Sequence, residues 1–358
     1  MAEIREHAPA RTDWIDIARV VCIWLIIMDN TGVRGNINKV FSLMAIPSLF
    51  FLSGYTGDNN KTLRETISSG VKRLLFPYIL FQAIFYVYWF IMDFFLHRNI
   101  YNLQIHESGP VILTLLRPII GTILCWGDYT SSYSLMPSFS LWWLPALFLV
   151  RVFSRLALII KEKEKTFYTL CLMSSLLLAV VLKMFQSDSF RIPFCIDSSL
   201  LLFPFFEMGR AVKKTGFIRT GTRNTLGQIQ ILLSIGIIGM ITLNLATGFI
   251  GDISFEQFNF GDNIILFFSL SLIGVITLIS FSLLYTGQFP LIALLSDGIV
   301  IILAFHVILL PYINFLYAVT GLGKTLLATT VLAAFNISVF IIPINTIQKY
   351  CPILVGQV

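Results

Sequence analysis

Arg19 and Asn30 stand eleven positions apart in the first apolar segment, which runs from Trp14-Ile15-Asp16-Ile17-Ala18-Arg19 to Met28-Asp29-Asn30-Thr31. At about 100° per residue, eleven steps return a helix to within roughly 20° of its starting direction. The two side chains therefore share one face, about 16 Å apart along the axis. Asp16 sits one turn from Arg19. A charge at membrane depth costs at least about 2.5 kcal/mol, so such groups normally face a bundle interior or a wet cavity. The face that carries them is the first candidate site. Asn30 can orient a hydroxyl or a carbonyl there, but an amide cannot take a proton.

The rest of the chain must hold that face in place. Of 358 residues, 56% are hydrophobic and 12% charged, and the mean hydropathy is +0.83. Soluble domains carry about 25% charged residues, so the composition describes a polytopic membrane protein, one integral domain over 1–358. The balance is basic, +6 with a pI near 9.1, but the bases lie in short loops. Nucleic-acid binding needs a clustered basic face with interleaved aromatics, and no such stripe is visible. Five cysteines (Cys22, Cys125, Cys171, Cys195, Cys351) are scattered without CxxC spacing; they read as packing residues, with no disulfide framework and no metal site. The first apolar run holds Asp16 and Arg19 and lacks a small-residue cleavage site, so it is expected to stay as a spanning helix.

A span needs about 20 apolar residues. Ten such segments follow: 14–31, 40–56, 72–96, 141–160, 166–184, 197–212, 227–247, 263–285, 292–317 and 325–348. The stretch Val111–Trp126 is interrupted by Arg117-Pro118 and Gly121 and reads as one interfacial or re-entrant helix. With both termini in the cytoplasm, only Arg34, Lys39, Arg98, Arg117, Arg191 and Lys324 of the 25 Lys and Arg residues fall in outer loops. Arg19 and Lys183 lie within spans, and the remaining bases lie inside, as the positive-inside rule requires. Counting 111–126 as a crossing would destroy that asymmetry. The expected fold is an all-α polytopic bundle of about ten transmembrane helices in a cell inner membrane. No internal repeat is visible.

Several stretches together resemble the acyltransferase-3 family of integral membrane acyltransferases, especially its fucose 4-O-acetylase-like and bacterial O-acetyltransferase branches. They are Asp16-Ile17-Ala18-Arg19, Ala45-Ile46-Pro47-Ser48-Leu49-Phe50-Phe51-Leu52-Ser53-Gly54-Tyr55, Lys72-Arg73-Leu74-Leu75-Phe76-Pro77-Tyr78, Leu141-Trp142-Trp143-Leu144-Pro145-Ala146-Leu147, Phe205-Phe206-Glu207-Met208-Gly209, and Leu295–Leu310 with His306. The likeness covers nearly the whole chain. It implies an O-acyltransferase that moves an acyl group, acetyl above all, from cytoplasmic acetyl-CoA to a hydroxyl of a cell-surface glycan or lipid-linked sugar. The implied site comprises Arg19, steadied by Asp16, to orient the thioester; Lys72 and Arg73 for the donor phosphates; and Trp142 and Tyr55 toward the acceptor.

In that family an arginine is followed, after ten intervening residues, by a histidine suited to general-base work near neutral pH. Here the histidine position is Asn30. Three accounts compete: a degenerate or altered relative that binds substrates and turns over poorly, a substitute base in Asp29 or His306, or a branch with another task. Counting helical rise puts Asn30 and His306 both in the outer half of the membrane, where they could converge. Plainer roles are open for each residue: an Asp16–Arg19 ion pair, positive-inside anchoring by Lys72 and Arg73, packing by His306 in a helix loosened at Pro311, an aromatic belt at Trp142 and Trp143, close helix packing at Ser53-Gly54, and a Glu207–Arg210 ion pair. His7, His97 and His106 are assigned nothing. A transporter or flippase of lipid-linked saccharide would use the same polar stripe.

Overall fold

Leu-, Ile-, Phe- and Val-rich runs without water around them must close their backbone hydrogen bonds within the segment, which makes them helices. The computed structural model describes residues 13–32, 35–58, 60–95, 111–125, 139–161, 192–216, 226–255, 258–285, 289–321 and 323–350, with isolated positions at 175, 177, 178, 180, 181, 218 and 287. Six helices there are long and apolar enough to cross a membrane: Ile37–Thr56, Leu63–Met92, Leu226–Phe249, Ile264–Leu283, Ile299–Thr320 and Leu326–Tyr350. The chain is a helical membrane protein.

The elements run α1 (Asp13–Asn30), α2 (Ile37–Thr56), α3 (Leu63–Gly70), a π-helical turn (Val71–Leu75), α4 (Phe76–Trp89), α5 (Val111–Leu124), α6 (Trp143–Lys161), α7 (Ile196–Thr215), α8 (Leu226–Ala246), α9 (Ile264–Leu283), α10 (Pro290–Asp297), α11 (Ile299–Thr320), α12 (Leu326–Val339) and α13 (Ile341–Tyr350). Three further helices have spanning length but carry charges: α1 with Asp16, Arg19 and Asp29, α6 with Arg151, Arg155 and Lys161, and α7 with Asp197, Glu207 and Arg210. The expected segment 166–184 lies, apart from a few positions, outside the described residues.

Helix α2 is the hub, packed against α1, α7 and α9. Its contact with α7 is backbone to backbone. A Cβ on Gly54 would overlap the Phe206 carbonyl, and a Cβ on Gly209 would overlap the Phe51 carbonyl. Small residues at such crossings let helices without a hydrophobic driving force gain close van der Waals contact. The Ser53-Gly54 pair thus serves packing. Gly54→Leu is expected to destabilise the protein by at least about 1–3 kcal/mol, read as a lower unfolding midpoint in detergent; an unchanged midpoint would contradict the close crossing. At the periphery α8 turns Leu226, Ile231, Ile237, Ile238, Ile241 and Leu245 outward and buries only Gly236, Gly239 and Leu243. That exposed apolar face suits lipid.

One expectation changes. Segment 292–317 is broken at Gly298 into α10 and α11. Pro311 lies inside α11, which continues through it to Thr320. Between α8 and α9, β1 (Ile253–Ser254) and β2 (Asn259–Phe260) pair antiparallel, and Phe255, Phe258 and Phe260 are buried. Two of the scattered cysteines meet, the Cys195 thiol donating to the Cys125 carbonyl at 3.2 Å, which joins the end of α5 to the start of α7. At 14 residues α5 extends about 21 Å, short of a span, in keeping with the interrupted stretch at 111–126.

Candidate functional site

Helix α1 carries polar groups at both ends. At its last turn Asn30 Nδ2 stands 2.9 Å from His306 Nε2 of α11. His306 is fully buried, and its Nδ1 faces only acceptors, the carbonyls of Leu303 at 3.0 Å and Ile302 at 3.3 Å. Nδ1 therefore holds the ring proton of a neutral imidazole, and Nε2 is left as the acceptor. That fixes the amide as well: Asn30 donates through Nδ2. The Leu303 carbonyl also accepts from Ser140 Oγ at 2.7 Å, and Asn336 Nδ2 donates to the His306 carbonyl at 3.4 Å. The histidine is locked on three sides.

Beside Asn30, Asp29 accepts from Ser42 Oγ of α2 at 2.5 Å. Both face a cavity of about 240 Å³ whose walls include Ser42, Ser140, Trp142, Trp143, Ser254 and Phe255. The β1–β2 ribbon closes one side, tied down where Ser198 Oγ donates to the Phe255 carbonyl at 2.8 Å and where Lys39 Nζ donates to the Ile250 carbonyl at 3.0 Å. A carboxylate, hydroxyls and indoles around a small volume can bind a polyol: oxygens pair with its hydroxyls while an aromatic face covers its C–H surface.

The other end of α1 is cationic. Arg19 lies 3.9 Å from Asp16, and Asp16 accepts from Ser296 Oγ of α10 at 2.7 Å. Asp16 is 4% exposed, so this stripe looks into the bundle. Arg19 Nη2 also reaches Thr56 Oγ1 at 3.4 Å. Nearby, Lys61, Arg64, Lys72 and Arg73, with Asp58 and Glu65, line an open cavity of about 630 Å³. Helix α3 is started there by a reciprocal cap, Thr62 Oγ1 accepting from the Glu65 amide at 3.2 Å and Glu65 from the Thr62 amide at 2.7 Å. The π-helical turn that follows carries Lys72 and Arg73; such turns recur at functional sites because the extra residue re-aims the side chains.

The expected residues thus fall into two groups. Asp29, Asn30, His306 and Trp142 converge at one end of α1; Asp16, Arg19, Lys72 and Arg73 gather at the other. Tyr55 does not join Trp142. Its ring packs edge-on to Trp14 at 5.2 Å, beside the first turn of α1, so a role on the acceptor side is not supported by its position. Trp142 is 4% exposed and lines the cavity rather than a lipid-facing belt. The Glu207–Arg210 pair forms as spacing predicts, with Arg210 Nη1 on Ser154 Oγ at 2.7 Å.

Sequence reading missed Ser42, Ser140, Ser254 and Phe255. The one available signal was the aromatic spacing Phe255, Phe258, Phe260 in a connection otherwise rich in acids. Among the described residues no group of His, Cys, Asp and Glu has metal-binding geometry. Comparison with protein families, curated proteins and solved structures gives no match for this chain.

Proposed function

We propose that this protein is an integral membrane O-acyltransferase that moves acetyl from acetyl-CoA, taken from the cytoplasm, to a hydroxyl of a glycan or lipid-linked sugar on the far side of the inner membrane. In this reading the chain crosses the bilayer ten times with both termini in the cytoplasm, and the Lys72 end of the bundle is the inner one. The observation that carries it is the pairing of two sites along α1: a polyol-sized cavity at Asp29 and Asn30, and a basic opening at Lys72 and Arg73. The motifs that resemble the acyltransferase-3 family support it independently.

Asp29 is the base. Its carboxylate faces the cavity, whereas the free lone pair of His306 is engaged by Asn30. With Nδ2 held by the histidine, Asn30 Oδ1 is free to accept from the acceptor hydroxyl and aim its oxygen. Asp29 takes the hydroxyl proton as that oxygen attacks the thioester carbonyl; the new C–O bond forms and the C–S bond breaks. The proton then passes from Asp29 to the departing thiolate, leaving an ester, a thiol and the original carboxylate. His306 acts as a positioning residue. Ser42, by donating to the other carboxylate oxygen, fixes which face of Asp29 meets the acceptor.

Labelled acetyl-CoA supplied to purified protein in nanodiscs, with membrane glycan as acceptor, tests the proposal. Alkali-labile acetyl on the glycan is the expected product. Movement of lipid-linked sugar without acetylation, and no thermal shift with acetyl-CoA, would instead identify a flippase; a ligand at 100 times its Kd should stabilise by about 2.7 kcal/mol. Asn30→His is expected to retain transfer, because an imidazole there also takes a proton. A silent parent beside an active Asn30→His variant would remove Asp29 as the base and mark the parent as degenerate.

A further inference from the structure

The acyl-transfer step makes no use of Cys125 and Cys195, free thiols that the fold brings together across 70 positions of chain. Cys125 follows the last turn of α5, and Cys195 precedes the first turn of α7. The Cys195 thiol donates to the Cys125 carbonyl at 3.2 Å, and the Cys125 thiol turns back onto the Thr122 carbonyl at 3.8 Å. The Cys195 side chain also bears directly on the Cys125 sulfur. Both ends of the junction are anchored. Tyr78 Oη donates to the Thr122 carbonyl at 2.7 Å, which pins α5 to α4. Ser199 Oγ reaches the carbonyls of Cys195 at 2.6 Å and Ala146 at 3.2 Å, which pins α7 to α6.

Four non-glycine residues among those described have positive φ, and three of them stand at this junction: Cys125 at 55°, Phe194 at 66° and Cys195 at 54°. Residues with a Cβ rarely adopt that conformation. It persists where the surroundings fix it, and such positions cluster at functional sites. Cys125 also lines an apolar cavity of about 670 Å³ together with Tyr78, Tyr86 and Phe194. Ile79, Val87 and Ile123 of the same wall are exposed. Helix α4 belongs to a stretch long and apolar enough to span a bilayer, so this exposed apolar mouth meets lipid. Cys195 is 4% exposed and stands behind Cys125, outside the lining of the cavity.

We propose that Cys125 and Cys195 are a thiol pair that closes into a reversible disulfide by exchange with an apolar disulfide entering from the lipid. The Cys125 sulfur, as thiolate, attacks one sulfur of the entering molecule; its S–S bond breaks, and the first thiol leaves with the Cys125 proton. Cys195 then attacks the Cys125 sulfur of that mixed disulfide, and the second thiol leaves with the Cys195 proton. The pair loses two electrons, and the entering disulfide is reduced to two thiols. The bridge ties α5 to α7 three residues before Ser198, whose hydroxyl holds the Phe255 carbonyl at the wall of the Asn30 cavity. Oxidation therefore stiffens that wall, whichever reaction the cavity performs.

Full-length protein in nanodiscs is treated with dipyridyl disulfide, and each cysteine is read by peptide mapping and mass. The parent is expected to lose two hydrogens at the pair and to yield one peptide linking Cys125 to Cys195, both reversed by dithiothreitol. Cys195→Ser should stop at a pyridyl adduct on Cys125. Cys125→Ser should leave Cys195 unmodified, because that thiol does not line the cavity. Amide hydrogen exchange across the 253–260 ribbon should be slower in the oxidised parent than in the reduced one. Separate adducts on the two cysteines of the parent, or both recovered as free thiols, overturn the pair. An adduct on Cys195 in the Cys125→Ser variant overturns Cys125 as the entry thiol. A bridge that leaves exchange across the ribbon unchanged overturns the link to the Asn30 cavity. The parent's mass decides the pair by itself, so that result stands even where a variant fails to fold.

Discussion

Asp29→Asn is expected to lower kcat for acyl transfer by about 10²–10⁴-fold, the range for removing a positioned general base, while CoA affinity stays at the parental value. The substitution is nearly isosteric, and the amide oxygen it introduces could still accept from Ser42 Oγ, which now sits 2.5 Å from the carboxylate. The shape of the cavity is kept and only the proton acceptor is lost. His306→Gln should cost less, because the imidazole reaches the cavity only through Asn30, and its loss frees the amide to rotate. Single-turnover measurements with saturating donor separate chemistry from binding. If His306→Gln silences the enzyme and Asp29→Asn leaves it active, the roles assigned to the two residues are reversed.

The second large effect concerns stability. Glu207 and Arg210 are 3% and 8% exposed, ion-paired at i,i+3 on α7, with Arg210 also bonded to Ser154 of α6. Removing one partner leaves a desolvated charge with its main counter-charge gone, so Arg210→Met or Glu207→Leu alone is expected to cost about 3–5 kcal/mol. The double variant should recover most of that loss, because two well-packed apolar side chains avoid the desolvation altogether. Equilibrium unfolding of all four proteins closes the cycle. Additive losses in the double variant would mean that the two residues do not act as a pair.

These expectations divide by how far apart in sequence the interacting groups lie. Asp16 with Arg19 and Glu207 with Arg210 are three residues apart, and helical geometry alone brings such neighbours together. Their contacts needed only the recognition that each segment is helix, which apolar length provides. The membrane character, the inward stripe of α1 and the short interrupted helix at 111–124 were legible for the same reason. The polar residues of α1 gave a site candidate because lipid makes an unused charge costly.

Contacts between distant segments were not legible in that way. Counting rise put Asn30 and His306 at similar depth, but depth leaves the rotation of each helix open, and the packing of α11 against α1 decided the 2.9 Å contact across 276 positions. Rotation also set which way Trp142 faces, onto the cavity beside Asn30. Chain order cannot bring Cys195 to Cys125; that meeting follows from which helices are neighbours. The segment over the Asn30 cavity became a ribbon because Phe255, Phe258 and Phe260 found a buried floor to pack on. The sequence by itself determined which stretches are helices and where their polar faces lie, since those follow from local periodicity and solvent. Only the tertiary structure decided which faces meet, because that depends on the shape of every contacting surface at once.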